Sequence, residues 1–105
     1  MGANVCPIFS DEIHSDLILP GHKHTPLAML SPELAEITIT LIAPSKTFNV
    51  PGLFTAAAII PNPKLHTQFN LMLENFALNS SNIFGMVGLE AAYRGGEEWL
   101  EALLD

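Results

Sequence analysis

Thr38-Ile39-Thr40-Leu41-Ile42-Ala43-Pro44-Ser45-Lys46-Thr47 is the stretch on which the fold turns. Its first five residues are β-branched or apolar and read as a strand. The run stops at Ala43-Pro44-Ser45, which leaves Lys46 just past the strand's carboxyl end. Immediately upstream, Ser31-Pro32-Glu33-Leu34 is a helix start: a serine cap, a proline in the first turn, then an early acid. The β-branched run keeps that helix short. Further upstream, residues 5–10 form a short apolar run ending in the polar cluster Asp11-Glu12-Ile13-His14-Ser15-Asp16. It reads as a buried strand followed by a functional edge. Pro20-Gly21 marks a turn, and residues 22–26 continue as loop.

Downstream, Val50-Pro51-Gly52 is another turn, and residues 53–60 read as a third strand closed by Pro61-Asn62-Pro63. The period then changes. Leu65, Phe69, Met72, Leu73 and Phe76 fall at helical spacing, so residues 64–78 are expected to form an amphipathic helix. Asn79-Ser80-Ser81-Asn82 breaks it and offers caps for a second helix over 83–94, which ends at Gly95-Gly96. A third runs over 97–104, with Glu97 and Glu98 favourable at its positive end. There are no internal repeats. The expected architecture is α/β: about three sheet strands followed by helices, as a fragment of a layered domain. Both ends read as cut, since Leu103-Leu104-Asp105 stops without a cap and the first strand begins close to Met1.

A chain of 105 residues makes at most one domain. Four basic against eleven acidic residues give a net charge of −7. That balance argues against nucleic acid, whose phosphates are met by lysine and arginine, and against a polybasic membrane site. Apolar residues make up 49% of the chain and charged ones 14%, against about 25% charged in a typical soluble domain. A chain so small and so apolar is expected to cross a membrane, to oligomerise, or to be a piece of a larger fold. The longest apolar runs, 37–43 and 53–60, fall well short of the ~20 residues a span needs. The first residues carry no basic segment of the kind that opens a signal peptide. Cys6 is the single cysteine, so no intramolecular disulfide forms, and a reducing cytoplasm is expected. On that reading the sequon Asn79-Ser80-Ser81 is a chance match.

Lys46 is the first candidate for chemistry. In open α/β sheets, ligands bind outside the carboxyl ends of strands. A lysine held there in apolar surroundings has its charged form disfavoured, and its neutral amine can form a Schiff base with a carbonyl. The plain alternative is an exposed loop lysine. Ser45-Lys46-Thr47 lacks the glycines of a phosphate-binding loop. Asp11 is the second candidate, at the end of the first strand. If the two strands are parallel, Asp11 and Lys46 emerge at one sheet edge. A carboxylate there could meet a protonated pyridine nitrogen, or it could simply cap a turn. His14, His22 and His24 give a weak metal signal, and no metal is expected. Cys6 lies in an apolar context with no cysteine partner, and His66 reads as surface. Arg94 is favourable at a helix end, with a substrate-carboxylate role open.

Taken in order, Ser10-Asp11-Glu12-Ile13-His14-Ser15-Asp16-Leu17, Pro20-Gly21-His22-Lys23-His24-Thr25-Pro26 and Ala43-Pro44-Ser45-Lys46-Thr47-Phe48-Asn49 with Gly52-Leu53 strongly resemble one family. It is the pyridoxal 5'-phosphate (PLP) C–S lyases of the cystathionine β-lyase type (MalY/PatB-like), within the class I/II aminotransferase superfamily, fold type I. Asn82-Ile83-Phe84-Gly85 and Glu90-Ala91-Ala92-Tyr93-Arg94-Gly95-Gly96-Glu97-Glu98-Trp99-Leu100 match its style too. The resemblance covers nearly the whole chain.

The resemblance implies that residues 1–105 are part of the PLP-binding large domain, a three-layer α/β fold, with no complete second domain. It implies that Lys46 forms the Schiff base and moves the Cα proton. It gives Asp11 the pyridine nitrogen, and places His14 where many relatives have a tyrosine near the cofactor's phenolic oxygen. Ser45 would lie near the phosphate. The sequence departs from the pattern at Ala43, often a phosphate-binding serine in relatives, and at Phe54, an arginine in many aminotransferases. The upstream phosphate loop, the ring that stacks on the cofactor and the small domain with its substrate-binding arginine are not found here. The implied substrate is a small amino-acid thioether, converted to thiol, pyruvate and ammonia, and the implied assembly is a homodimer. An aminotransferase on the same scaffold, a non-catalytic truncated fragment and an α/β ligand-binding module are the alternatives.

Overall fold

The computed structural model describes residues 6–80 and 82–105. Three strands make one sheet in the order β1 (Ile8–Asp11), β2 (Thr38–Ile42), β3 (Ala57–Ile59). β1 and β2 are parallel, with Ile8 opposite Thr38 and Asp11 opposite Leu41. β3 runs antiparallel to β2, with Ile42 opposite Ala57. The central strand carries the core: Ile39 is 2% exposed, and Thr38, Thr40, Ala43, Pro44 and Thr47 are buried around it. Threonine tolerates this position because its hydroxyl finds a backbone partner. Thr38 Oγ1 donates to the Leu34 carbonyl at 2.6 Å.

The parallel crossover between β1 and β2 contains a 3-10 turn at Leu27–Met29 and the helix α1 (Pro32–Ile37). α1 starts as its sequence dictates, with Ser31 Oγ accepting the Leu34 N–H and Pro32 in the first turn. After β2 comes α2 (Pro44–Thr47), a single turn closed by the Phe48 N–H donating to the Pro44 carbonyl at 2.8 Å. The helices α3 (Pro63–Asn75), α4 (Ile83–Gly95) and α5 (Glu97–Leu104) follow the sheet.

Three boundaries differ from the sequence reading. The first strand runs through Asp11, and Val5, placed in it by sequence, lies outside the described residues. The strand expected over 53–60 is only three residues long. Pro51–Leu53 forms a 3-10 turn, and Phe54 leaves it in the left-handed region with φ 46°, which no strand accommodates. The helix expected over 64–78 begins one residue earlier, with Asn62 Oδ1 accepting from the Lys64 and Leu65 N–H groups. It ends three residues earlier. Ala77 turns left-handed at φ 54°, its N–H donates to Glu74, and the Leu78 N–H donates to Leu73, the paired closing bonds of a Schellman motif. Of the Asn79–Asn82 breaker, Ser81 lies outside the described residues, while Asn82 caps α4 by accepting the Phe84 N–H at 3.0 Å.

Gly85 lets α4 ride directly on the segment after the second turn: a Cβ there would meet Thr55 Oγ1, and the Leu53 carbonyl at 2.7 Å. Asn82 Nδ2 donates to that same carbonyl at 3.0 Å. The result is a slab of 52 × 35 × 17 Å with a radius of gyration of 15.6 Å, against about 13 Å for a compact chain of this length. Its faces leave Phe9, Phe54, Phe76, Ile83 and Phe84 largely exposed, Phe54 by 90%. No described helix is long and apolar enough to cross a membrane.

Candidate active site

The parallel pair β1–β2 brings the four residues singled out by sequence to its carboxyl end. Asp11 is the last residue of β1, and His14 lies in the turns that follow. Ser45 and Lys46 lie in α2, directly after β2. That end of a parallel sheet is where backbone and loops open a ligand crevice.

Alternation along β1 decides which acid is buried. Ser10 and Glu12 point to the covered side, whereas Phe9 and Asp11 point to the open one. Asp11 is therefore exposed, with Oδ1 accepting the Ile13 N–H at 3.4 Å in a local turn. Its neighbour Glu12 is 8% exposed. Glu12 accepts from Ser10 Oγ at 2.8 Å and from the Leu27 N–H at 3.0 Å, and its Oε2 meets His24 Nε2 at 2.8 Å. Burial works to raise the Glu12 pKa, but the bonds from His24, Leu27 and Ser10 together outweigh it and hold the carboxyl below the usual carboxylate value. Glu12 thus pins the loop over residues 20–27 onto the strand end. The sequence reading passed over it. The signal was available in the two-residue period, which puts Glu12 in phase with Ser10.

Lys46 is exposed, the plainer of the two environments its sequence position allows, and is not enclosed by apolar side chains. Among the described residues the carboxylates in contact with a basic side chain are Glu12, on His24, and Glu90, on Arg94, so the Lys46 ammonium has no carboxylate bound to it. Its backbone, by contrast, is held on both sides. Pro44 and Thr47 are buried, and Thr47 Oγ1 donates to Asp16 Oδ2 at 2.9 Å. Ser45 is half-buried. His14 and His22 are exposed and His24 is engaged with Glu12. Among the described residues no three metal-ligating side chains gather.

Behind α2, Asp16, Phe48, Tyr93, Arg94, Glu97 and Leu100 line a cavity. Phe48 meets Tyr93 edge-on at 5.5 Å and Trp99 at 6.1 Å. Gly96 admits the Phe48 ring, which a Cβ would strike. Burial, and then the Asp16 carboxylate, push the Tyr93 phenol above its ordinary value of 10.0.

No family model matches the chain. Individual proteins do. Cystathionine beta-lyase PatB of Bacillus subtilis is 48% identical over 97 residues, covering 92% of this chain and 25% of that protein. The crystal structure of OvoB superposes with a TM-score of 0.88 at 45% identity, covering 94% of this chain and 26% of the other. The PLP-bound C–S lyase of Staphylococcus hominis gives a TM-score of 0.80 at 35% identity, covering 93% and 24%. The chain spans about a quarter of the length of the curated relatives it matches. It resembles a segment of the large domain of the PLP-dependent C–S lyases of the cystathionine β-lyase type, a fold type I α/β unit in which a three-stranded sheet is followed by helices.

Proposed function

We propose that this chain is part of the cofactor-binding large domain of a PLP-dependent C–S β-lyase acting on small amino-acid thioethers. The observation that carries the reading is the juxtaposition of Asp11 and Lys46 at the carboxyl end of two adjacent parallel strands, in a chain 48% identical to a cystathionine β-lyase. Residues 1–105 form one part of a single domain on this reading.

The donor set fits two contacts with PLP. Lys46 offers an unpaired amine, and Asp11 offers a carboxylate on the uncovered side of the sheet. When bound, PLP supplies an electron sink for charge that develops at the substrate Cα. Asp11 would hold a proton on the pyridine nitrogen, which deepens that sink. Lys46 would hold the cofactor covalently until the substrate amine displaces it, and its freed amine would then accept the proton from the substrate Cα. With that proton removed, a thiolate could leave from Cβ, and the remaining enamine would hydrolyse to pyruvate and ammonia. His14 and Ser45 are assigned to the phenolic-oxygen and phosphate sides. The side chains of Ala43 and Phe54 offer a phosphate no donor, the one being a buried methyl and the other an outward-facing ring, which leaves Ser45 as this segment's side-chain donor on that side. The reading further includes a homodimer, a cytoplasmic setting, and no nucleic-acid or membrane partner.

The test is a chimera in which this chain replaces the matching quarter of the Bacillus subtilis relative. Cystathionine should yield homocysteine and pyruvate, and Lys46→Ala should abolish both. A keto acid with aminated cofactor instead would make the protein an aminotransferase. Turnover retained without Lys46 would refute the assignment.

A further inference from the structure

We infer that Asp16 is a positioning residue for Lys46, acting through the hydroxyl of Thr47. The inference rests on the reading of Lys46 as the cofactor lysine.

The argument starts from the length of α2. A single four-residue turn has one closing backbone bond, from Phe48 to Pro44, and cannot fix its own orientation. The orientation of Lys46 is therefore set by whatever holds the residues beside it. On its amino side that is the burial of Ala43 and Pro44. On its carboxyl side it is Thr47, fully buried at 0% exposure, whose one donor goes to Asp16 at 2.9 Å. Asp16 belongs to the segment that follows Asp11 and His14, thirty-one residues away in sequence. The bond therefore ties the turn beyond β1 to the turn beyond β2, where the sheet's own ladder has ended. It fixes the cofactor lysine relative to the segment that carries the pyridine-nitrogen carboxylate. A charged acceptor makes this bond stronger than a neutral one. Asp16 also lines the cavity with Tyr93 of α4, and Phe48, next in sequence after Thr47, packs on that same ring.

The experiment uses the chimera that carries this chain in place of the matching quarter of the Bacillus subtilis relative, loaded with PLP, with borohydride trapping and peptide mass mapping. Lys23, Lys46 and Lys64 are the only lysines this chain contributes, so label on each can be compared peptide by peptide. In the unaltered chimera, label should concentrate on Lys46. Scattered label would remove the reading of Lys46, and this inference with it. Given selective labelling, two substitutions separate positioning from packing. Thr47→Val keeps the volume and removes the donor, and Thr47→Ser keeps the donor and removes a methyl. Positioning predicts that Thr47→Val lowers the Lys46-to-Lys64 labelling ratio about tenfold, since small displacements are costly in rate, while Thr47→Ser retains it. Asp16→Asn, which still offers an acceptor oxygen, should stay near the unaltered ratio, and Asp16→Ala should match Thr47→Val. The reverse order, with valine tolerated and serine damaging, would overturn the inference and leave the assignment of Lys46 standing.

Discussion

Asp11 and Glu12 are neighbours in sequence and opposites in environment: Asp11 is exposed on the open side of the sheet, whereas Glu12 is buried with three hydrogen-bond partners. The pleat of β1 makes the division. It leaves one acid free to meet a ligand and spends the other on holding the loop that reaches from Pro20 to Leu27.

Glu12 should therefore matter to stability. Glu12→Ala removes a charged acceptor from Ser10, His24 and the Leu27 N–H, and the expected loss is about 2–3 kcal/mol. The folded carboxyl is held below its ordinary pKa, so its contribution is fully present above the unfolded value of about 4.3 and fades as pH falls through the lower folded value. Urea unfolding of the chain and of Glu12→Ala at neutral and acidic pH checks both statements. The difference between them should shrink as the solution is acidified.

Two glycines of α4 should respond oppositely to alanine. At Gly85 the new methyl would collide with Thr55 and the Leu53 carbonyl, and a destabilisation of about 1–3 kcal/mol is expected. At Gly95 nothing lies within 4 Å, and the gain in helix propensity should be worth up to about 1 kcal/mol. Thermal unfolding midpoints of Gly85→Ala and Gly95→Ala should move in opposite directions.

Tyr93 is the only tyrosine, which makes its titration readable by phenolate absorbance. Burial first and the Asp16 charge second hold the phenol protonated above 10.0. The fold consequently loses stability as pH rises through the interval between the unfolded and folded values. Asp16→Asn should lower the Tyr93 pKa only part of the way toward 10.0, because burial is the larger cause. A complete return would mean that the carboxylate, not burial, dominates.

Much of the fold was legible in local chemistry. The β-branched run Thr38–Ile42 is β2, residue for residue, and the Ser31-Pro32 start and the helices after Pro63 and Asn82 follow from caps and periodicity. The third strand was not legible at its start, because apolar composition at Leu53 and Phe54 hid a 3-10 turn followed by a left-handed residue. Within the site, the shared sheet edge of Asp11 and Lys46 could be anticipated from the apolar runs before them, given parallel strands. The burial of Glu12 could be read from its phase with Ser10, but its distant partners and the bond between Asp16 and Thr47 could not. They depend on contacts across 15 and 31 residues, which no short-range pattern encodes.

The central claim is that Lys46 is the lysine set aside for PLP. The most direct measurement is a visible spectrum of the PLP-loaded chimera with the Bacillus subtilis relative, followed by borohydride reduction and peptide mapping. The account predicts a yellow complex whose reduced label sits on Lys46 and disappears in Lys46→Ala. Label shared evenly with Lys23 and Lys64, or undiminished in Lys46→Ala, would contradict it.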